Sequence, residues 1–440
     1  MTTSASRSLP RRLGTWSGTA IVVGVIIGSG IFRVPSPIAA ETGSLTGVAL
    51  VWIAGGLVTL CGALSVAELA AMFPQAGGPY VYLREAYGRP LAFLFGWMLL
   101  LTTPFSWAAQ ALTFAEYLGS VVRLSHDTTH LIAAGLIALI CIAHFRSVRL
   151  GAWVQNLSTG AKVLALVVLA LLLYAFAPQA AENLRGAAAG DTHWVGIGVA
   201  LVAVLWAYDG WENLTLLSGE MKDPQRSLPR ALIGGTLVVL AIYVVVNAAF
   251  LMALPFDSLA ASKSVAADAV SAVRGTGGAT VIAALVMVSC LGSLNGSILS
   301  DPRVFYAMAE DGLFFRAVGR IHPRFATPHV AIFFTGALAV IYVLLQNFLQ
   351  LAVAYVLGIW PFLALAVIGL FVLRRRRPEL PRPYRAFGYP VIPALFVLGT
   401  LLVIGYALYT DPLSTGRSLL VTLAGVPLYY LWLGWTRRRQ

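Results

Sequence analysis

Twelve stretches of this chain are apolar for long enough to cross a bilayer. They lie near residues 15–41, 46–72, 91–121, 130–145, 152–177, 194–217, 231–254, 279–308, 329–346, 348–373, 388–410 and 418–436. A crossing takes roughly 20 apolar residues, and backbone in hydrocarbon must satisfy its own hydrogen bonds, so each stretch is predicted to be a helix. The third and eighth are long enough to tilt or to project beyond the bilayer. Only 11% of the 440 residues are charged, against roughly 25% in a soluble domain. That is too little charge to cover a water-facing surface. The longest connections, near 178–193 and 255–278, are too short to fold as domains of their own. The first stretch follows basic residues as a signal peptide would, but it is long, interrupted by glycine and without a clear cleavage site, so it is read as a mature helix.

Orientation follows from the basic residues. With the N-terminus inside, twenty-two of the thirty Lys and Arg residues fall on the cytoplasmic side, among them Arg7, Arg11, Arg12, the run Arg374 to Arg377 and Arg437 to Arg439. Six fall outside, and Lys162 and Arg303 lie within or at the end of spans. That asymmetry puts both termini in the cytoplasm of a multi-pass cell (inner) membrane protein. The net charge of +12 therefore reports topology and contact with anionic lipid, and no nucleic-acid partner is expected. The arginine run 374–377 reads as a headgroup anchor. Cys61, Cys141 and Cys290 lie in apolar segments as small core residues, with no zinc spacing and no disulfide framework.

Two spans are interrupted. The first reads IVVGVIIGSGIF, with Gly24, Gly28, Ser29 and Gly30 at its middle; the sixth reads VAVLWAYDGWENL, broken at Asp209 and Gly210. Gly24 and Gly28 have the spacing of close helix packing. Three adjacent weak helix formers, Gly28-Ser29-Gly30, point instead to an unwound segment. Breaks in corresponding members of two five-helix halves mark the midplane binding site of a secondary transporter. A carboxylate at membrane depth is costly, so Asp209 is a functional candidate. Unwinding suits a zwitterion: free N–H groups at the start of a half-helix hold a carboxylate, and free carbonyls at the end of another hold an ammonium.

The first span with its GSGIF motif, FPQAGGPYVYLREAYG, AYDGWENLTLLSGEMKDPQRSLPRAL, SLNGSILSDPRVFYAMAEDGLFF and RRRRPELPRPYRAFGYPVIP together resemble the amino acid–polyamine–organocation superfamily. The resemblance is closest to the L-amino-acid transporter family, in its standalone bacterial form, and runs from about residue 14 to 400. It implies an all-α membrane fold of the LeuT type. The cytoplasmic tail 1–13 would precede a first five-helix repeat over 14–177 and an inverted second repeat over 194–373, followed by two further helices over 388–436 and the tail 437–440. It also implies that the N–H groups of Ser29, Gly30 and Ile31 hold an amino acid's carboxylate. The carbonyls of Ile26, Trp206 and Asp209 would take its ammonium. Trp206 stands where the family has an aromatic gate, whereas Trp211 is read as packing.

Lys162 in STGAKVLALVVLA either snorkels to the surface or, as the resemblance implies, stands where sodium-coupled relatives bind a cation between the first, fifth and eighth helices. There its ammonium would meet first-helix carbonyls near Gly24 to Gly28 and a hydroxyl such as Ser289 or Ser293. The consequence would be sodium-independent transport, most naturally exchange. The small and apolar lining and the lack of a second acidic candidate suggest neutral side chains. Asp209 either admits cationic substrates, as acidic residues there do in relatives, or bonds to a hydroxyl such as Tyr208 or Thr215.

Glu68, Glu116 and Glu220 are read as paired or solvated near helix ends, and His144 as solvated. The family's animal members join a glycoprotein through a cysteine that the loop RLSHDTTH lacks, so no disulfide-linked heavy chain is expected. The expected function is a sodium-independent exchanger of neutral L-amino acids with no cofactor. A proton-coupled permease, or an exchanger that also takes cationic amino acids through Asp209, is the alternative. No nucleophile–base pair or metal cluster suggests an enzyme, and no filter-like repeat suggests a channel.

Overall fold

The computed structural model describes residues 11–274, 278–345 and 348–437; the tail residues 1–10, with Arg7, and 438–440 lie outside them. Among the described residues the chain is helical throughout, with a single backbone bridge, between Leu13 and Met221. Ten helices are long and apolar enough to cross a membrane. Two shorter apolar ones, Trp194–Ala207 and His329–Leu345, complete a set of twelve that matches the twelve apolar stretches.

The first span is Thr15–Ile26 followed, after a break, by Gly30–Arg33 and Pro35–Thr42. The second is Leu45–Met72, the third Arg89–Val122, the fourth His126–Arg146 and the fifth Val148–Phe176. The sixth is Trp194–Ala207, broken and resumed at Asn213–Leu216. The seventh is Pro224–Ala253 and the eighth Ala279–Ser300, carried on by Pro302–Glu310. His329–Leu345, Phe348–Arg376, Val391–Thr410 and Pro412–Arg437 are the last four.

Local chemistry fixes several of these ends. Ser44, Ser125 and Ser147 precede the second, fourth and fifth spans in extended conformation, and each hydroxyl accepts the N–H three residues on, at 3.1, 3.2 and 3.1 Å. Each cap satisfies one of the donors that a helix start leaves orphaned.

Burial sorts the spans. The first and tenth are mostly enclosed by protein, whereas the last two are mostly exposed. Exposed Leu139, Leu164, Leu402 and Leu431 give the outer surface an apolar character suited to lipid. The exposure pattern is inverted relative to a soluble protein, because lipid tails are as apolar as leucine.

Several buried or half-buried charges away from the two breaks are ion-paired. Glu68 is fully buried and accepts from Arg374 at 3.0 and 2.5 Å, and from the Ala386 amide at 2.6 Å. Arg374 also lies 3.7 Å over the Tyr389 ring, and Arg377 pairs with Glu85 at 3.1 Å. Two members of the arginine run, read from the sequence as a headgroup anchor, thus tie the end of the tenth span to the second span and to helix Pro79–Tyr87. Glu116 pairs with Arg33. Glu220 and Arg303, both buried, pair at 2.9 Å.

Candidate functional site

The two breaks meet at the centre of the bundle. In the first span Ile27 leaves the helix with ψ 83°, and the Gly28 N–H turns back to the Ile26 carbonyl at 2.8 Å. In the sixth, Gly210 takes φ +98°, which a residue with a side chain rarely adopts. The breaks touch through glycine. A Cβ on Gly30 would lie 2.6 Å from the Ala207 Cα, and one on Gly210 would lie 2.5 Å from Val25 Cγ1.

Unwinding frees first-span carbonyls, and each finds a donor. Lys162, fully buried on the fifth span, donates from Nζ to the carbonyls of Gly24 at 2.8 Å, Ile27 at 2.6 Å and Ser289 at 3.0 Å. Ser289 Oγ donates to the Ile27 and Gly28 carbonyls at 3.0 and 3.2 Å, and Ser293 Oγ to the Val25 carbonyl at 2.7 Å. Tyr243 donates to the Ile26 carbonyl at 2.9 Å. An ammonium has three N–H donors, and here three carbonyls receive them. Lys162 does not snorkel. Two details differ from the sequence expectation. The eighth span offers the ammonium the Ser289 carbonyl and not a hydroxyl, and Ser293 serves Val25, because both hydroxyls are drawn to the freed first-span carbonyls.

The groups expected to hold a zwitterion are only partly available. The Ser29 N–H donates to Gln110 Oε1 at 3.1 Å, while the first-turn amides of Gly30 and Ile31 meet no acceptor among the described residues. The Ile26 carbonyl has both lone pairs engaged, by Tyr243 and the Gly28 amide. The Trp206 carbonyl accepts the Asp209 N–H at 3.3 Å, and the Asp209 carbonyl accepts nothing among the described residues. As an ammonium acceptor Ile26 is thus already satisfied in this conformation.

Between the breaks lies a cavity of about 20 Å³, room for about one water. Val25, Ile26 and Gly30 line it from the first span and Trp206, Asp209 and Asn213 from the sixth, with Ser293 and Tyr355 beside them. Trp206 is buried and meets Tyr355 edge-on, with ring centroids 5.6 Å apart. An amino acid fits there only if Trp206 or its neighbours withdraw. Trp211 is fully buried with its ring edge against Phe396, a packing position away from the cavity.

Asp209 bonds neither to Tyr208 nor to Thr215. Its carboxylate accepts from Trp360 Nε1 at 3.2 Å, with Tyr355 facing it. Tyr208 donates instead to the Trp52 carbonyl at 3.1 Å, and Thr215 to the Glu212 carbonyl at 2.7 Å. Nor is Asp209 the only acidic candidate. Glu212 and Asp301 are buried beside it, and Asp301 is held by Trp107 at 2.8 Å, Asn213 at 3.0 Å and Ser300 at 3.0 Å. Glu212 stands three residues from Asp209 in the same break, between Trp194–Ala207 and Asn213–Leu216, so the turn brings both carboxylates to one place. Asp301 opens the helix that continues the eighth span, and nothing local shows that other spans close over it.

His144 is also not solvated. It is buried, with Nε2 2.9 Å from Asn295 Oδ1, and Asn295 donates on to Gln155 Oε1 at 2.9 Å. The eighth span covers the end of the fourth, which position along the chain alone does not reveal. Among the described residues no group of His, Cys, Asp and Glu could hold a metal ion, and the three cysteines are unpaired and buried.

Two broken helices facing each other across a small polar cavity, inside an apolar bundle, are the parts of a carrier for a small charged solute. Comparison with known proteins agrees with this. The chain is 34% identical over 426 residues to the serine/threonine exchanger SteT of Bacillus subtilis, covering 96% of this chain and 97% of that one. It is 32% identical over 443 residues to the b(0,+)-type amino acid transporter 1 of Mus musculus, covering 98% and 90%. It is 30% identical over 444 residues to the cystine/glutamate transporter of Homo sapiens, covering 98% and 87%. The sequence model of the amino acid permease family matches residues 13–431, and this chain is a member of that family.

Proposed function

We propose that the protein is a sodium-independent exchanger of neutral L-amino acids that works by alternating access in the cell membrane, with both termini in the cytoplasm. The observation that carries this reading is the Lys162 ammonium, bonded to the carbonyls of Gly24, Ile27 and Ser289. A fixed cation there supplies the charge that a bound sodium ion would otherwise bring to the unwound segment. Tilting of the first and sixth half-helices about the substrate would then need no dissociating ion. The chain divides into five-helix halves over 14–177 and 194–373, with two added helices over 388–436, and acts without a disulfide-linked partner.

The substrate's carboxylate is assigned to the amides of Ser29, Gly30 and Ile31, and its ammonium to the Trp206 and Asp209 carbonyls. Trp206 with Tyr355 closes the site. Ser106, Asn213, Ser293 and Ser297 on the lining favour small neutral or hydroxylated side chains, in keeping with the relative named a serine/threonine exchanger. A second reading, in which cationic amino acids are also accepted, is favoured by the Asp209 carboxylate on the cavity wall.

The test is counterflow in proteoliposomes. Efflux of labelled L-serine should accelerate when unlabelled L-serine is present outside, equally in sodium and in choline buffer. Efflux indifferent to outside amino acid would remove the exchange assignment, and dependence on sodium would remove the role given to Lys162.

A further inference from the structure

The Ser29 amide already holds a side chain. Gln110, on the third span, is buried, reaches the break in the first span and accepts the Ser29 N–H with Oε1 at 3.1 Å. Its carboxamide packs against Gly28. A Cβ there would come within 2.6 Å of Gln110 Nε2 and 2.9 Å of Ser293 Oγ, so a side chain at 28 would displace the carboxamide. Gln110 also lines the small central cavity. Its Nε2 makes no hydrogen bond among the described residues, so the carboxamide is held here through its oxygen.

A carboxamide is planar, has two heteroatoms on one carbon and matches a carboxylate in shape while carrying no charge. A buried N–H left without an acceptor is costly, so the unwound segment is more stable when something accepts the Ser29 amide. We infer that Gln110 is an internal stand-in for the substrate carboxylate: it occupies the Ser29 amide between transport events, and an incoming amino acid must displace it. Gln110 is thus a specificity-determining residue that sets apparent affinity by competition. The inference rests on the reading of the Ser29 to Ile31 amides as the carboxylate cradle. The exchange is one hydrogen bond for another. A charge-assisted bond from the substrate is the stronger of the two, which lets displacement proceed.

Two substitutions remove the competitor in different ways. Gln110→Met keeps the volume and loses the acceptor, and Gln110→Asn keeps the amide but shortens its reach. Purified wild type and both variants, matched for monodispersity and melting temperature in detergent, would be assayed in proteoliposomes with L-serine and L-alanine as probes. Ethanolamine and ethylamine, which lack the carboxylate, would serve as competitors. The expected result is a KM about two- to tenfold lower in both variants, the worth of one ordinary hydrogen bond, with no rise in maximal exchange rate. A merely structural role would lower the rate and leave KM alone. If the amines compete as well as the amino acids against the wild type, the carboxylate cradle is misassigned and the inference falls with it. If the carboxylate is required and neither variant lowers KM, the stand-in role alone is wrong. A higher KM in both would make Gln110 a direct substrate ligand, which also overturns it.

Discussion

The Lys162 ammonium on the fifth span lies 2.6 Å from the Ile27 carbonyl, the residue at which the first span stops being a helix. A side chain from one helix thereby takes the backbone group that the break in another sets free. Freed carbonyls in a dry interior need donors, and this one gains a charged donor shared with Gly24 and Ser289. The break and the lysine make sense only together.

Lys162→Ala should therefore damage motion more than recognition. It leaves the Gly24 carbonyl without its donor and the Ile27 carbonyl with Ser289 Oγ alone. A buried acceptor left without its donor costs about 1–3 kcal/mol. We expect exchange turnover to fall by at least about tenfold, since about 1.4 kcal/mol of barrier already does that, with KM changed far less. Initial rates and saturation curves in proteoliposomes measure both quantities. Wild-type turnover would remove the role assigned here.

Asp209→Asn tests whether the carboxylate reads the side chain. Asparagine keeps the shape and an oxygen that can still accept from Trp360, so exchange of L-serine should stay within about threefold of wild type, the effect of a fraction of a kcal/mol. Inhibition by L-arginine should weaken by about tenfold or more, because hydrogen bonds to charged groups are worth about 1.5–3 kcal/mol. A competition panel on both proteins gives the ratio. An unchanged arginine response would show that Asp209 serves Trp360 and Tyr355 and not the substrate.

Sequence made the breaks and Lys162 legible for a physical reason. Adjacent weak helix formers unwind a span and charges have no cheap place in hydrocarbon, so either one within an apolar run is itself the signal. Gln110 and His144 carried no such signal, and the one at Asp301 was passed over. A neutral amide inside a long span adds little to its polarity. A histidine near a helix end reads as solvated until another span covers it. Asp301 lies inside the eighth apolar stretch, 279–308, but toward its end and beside Pro302 and Arg303. What buries it is Trp107 from the third span and Asn213 from the sixth, contacts made across nearly two hundred and nearly ninety residues respectively. Long-range packing, not local pattern, placed these groups, and so the chain's acidic character at the site was underestimated.

Close approach at the breaks gives a steric prediction. In Gly30→Ala the new methyl would meet the Ala207 Cα at 2.6 Å, and backbone cannot yield as a flexible side chain can. Overpacking of this kind costs about 1–3 kcal/mol, and here it pushes apart the two half-helices that flank the cavity. We expect a lower melting temperature in detergent and loss of most exchange. Gly234→Ala, where no atom lies within 4 Å of the new methyl, should leave both unchanged. Equal behaviour of the two variants would mean that the Gly30–Ala207 contact does not constrain the site.

The pair Glu220–Arg303 distinguishes holding from merely filling. Both side chains are buried, with Arg303 Nε 2.9 Å from Glu220 Oε1. The Glu220 carbonyl also receives the amides of Arg12 and Leu13 at 2.8 and 2.9 Å, and the Lys222 amide returns to the Leu13 carbonyl at 2.7 Å. The segment before the first span is thus stitched to the segment after the sixth, closing the bundle at the end where both half-helices must separate if the site is to open there. Glu220→Gln strands the Arg303 charge and should destabilise by about 3–5 kcal/mol, whereas Glu220→Gln combined with Arg303→Met should recover most of that loss, as buried pairs replaced by apolar volume often do. Thermal melts of the single and double variants give the coupling. If the double variant recovers stability but exchanges L-serine more slowly than wild type, the pair is kept for opening and closing this end. If it exchanges at the wild-type rate, the pair contributes only to folding.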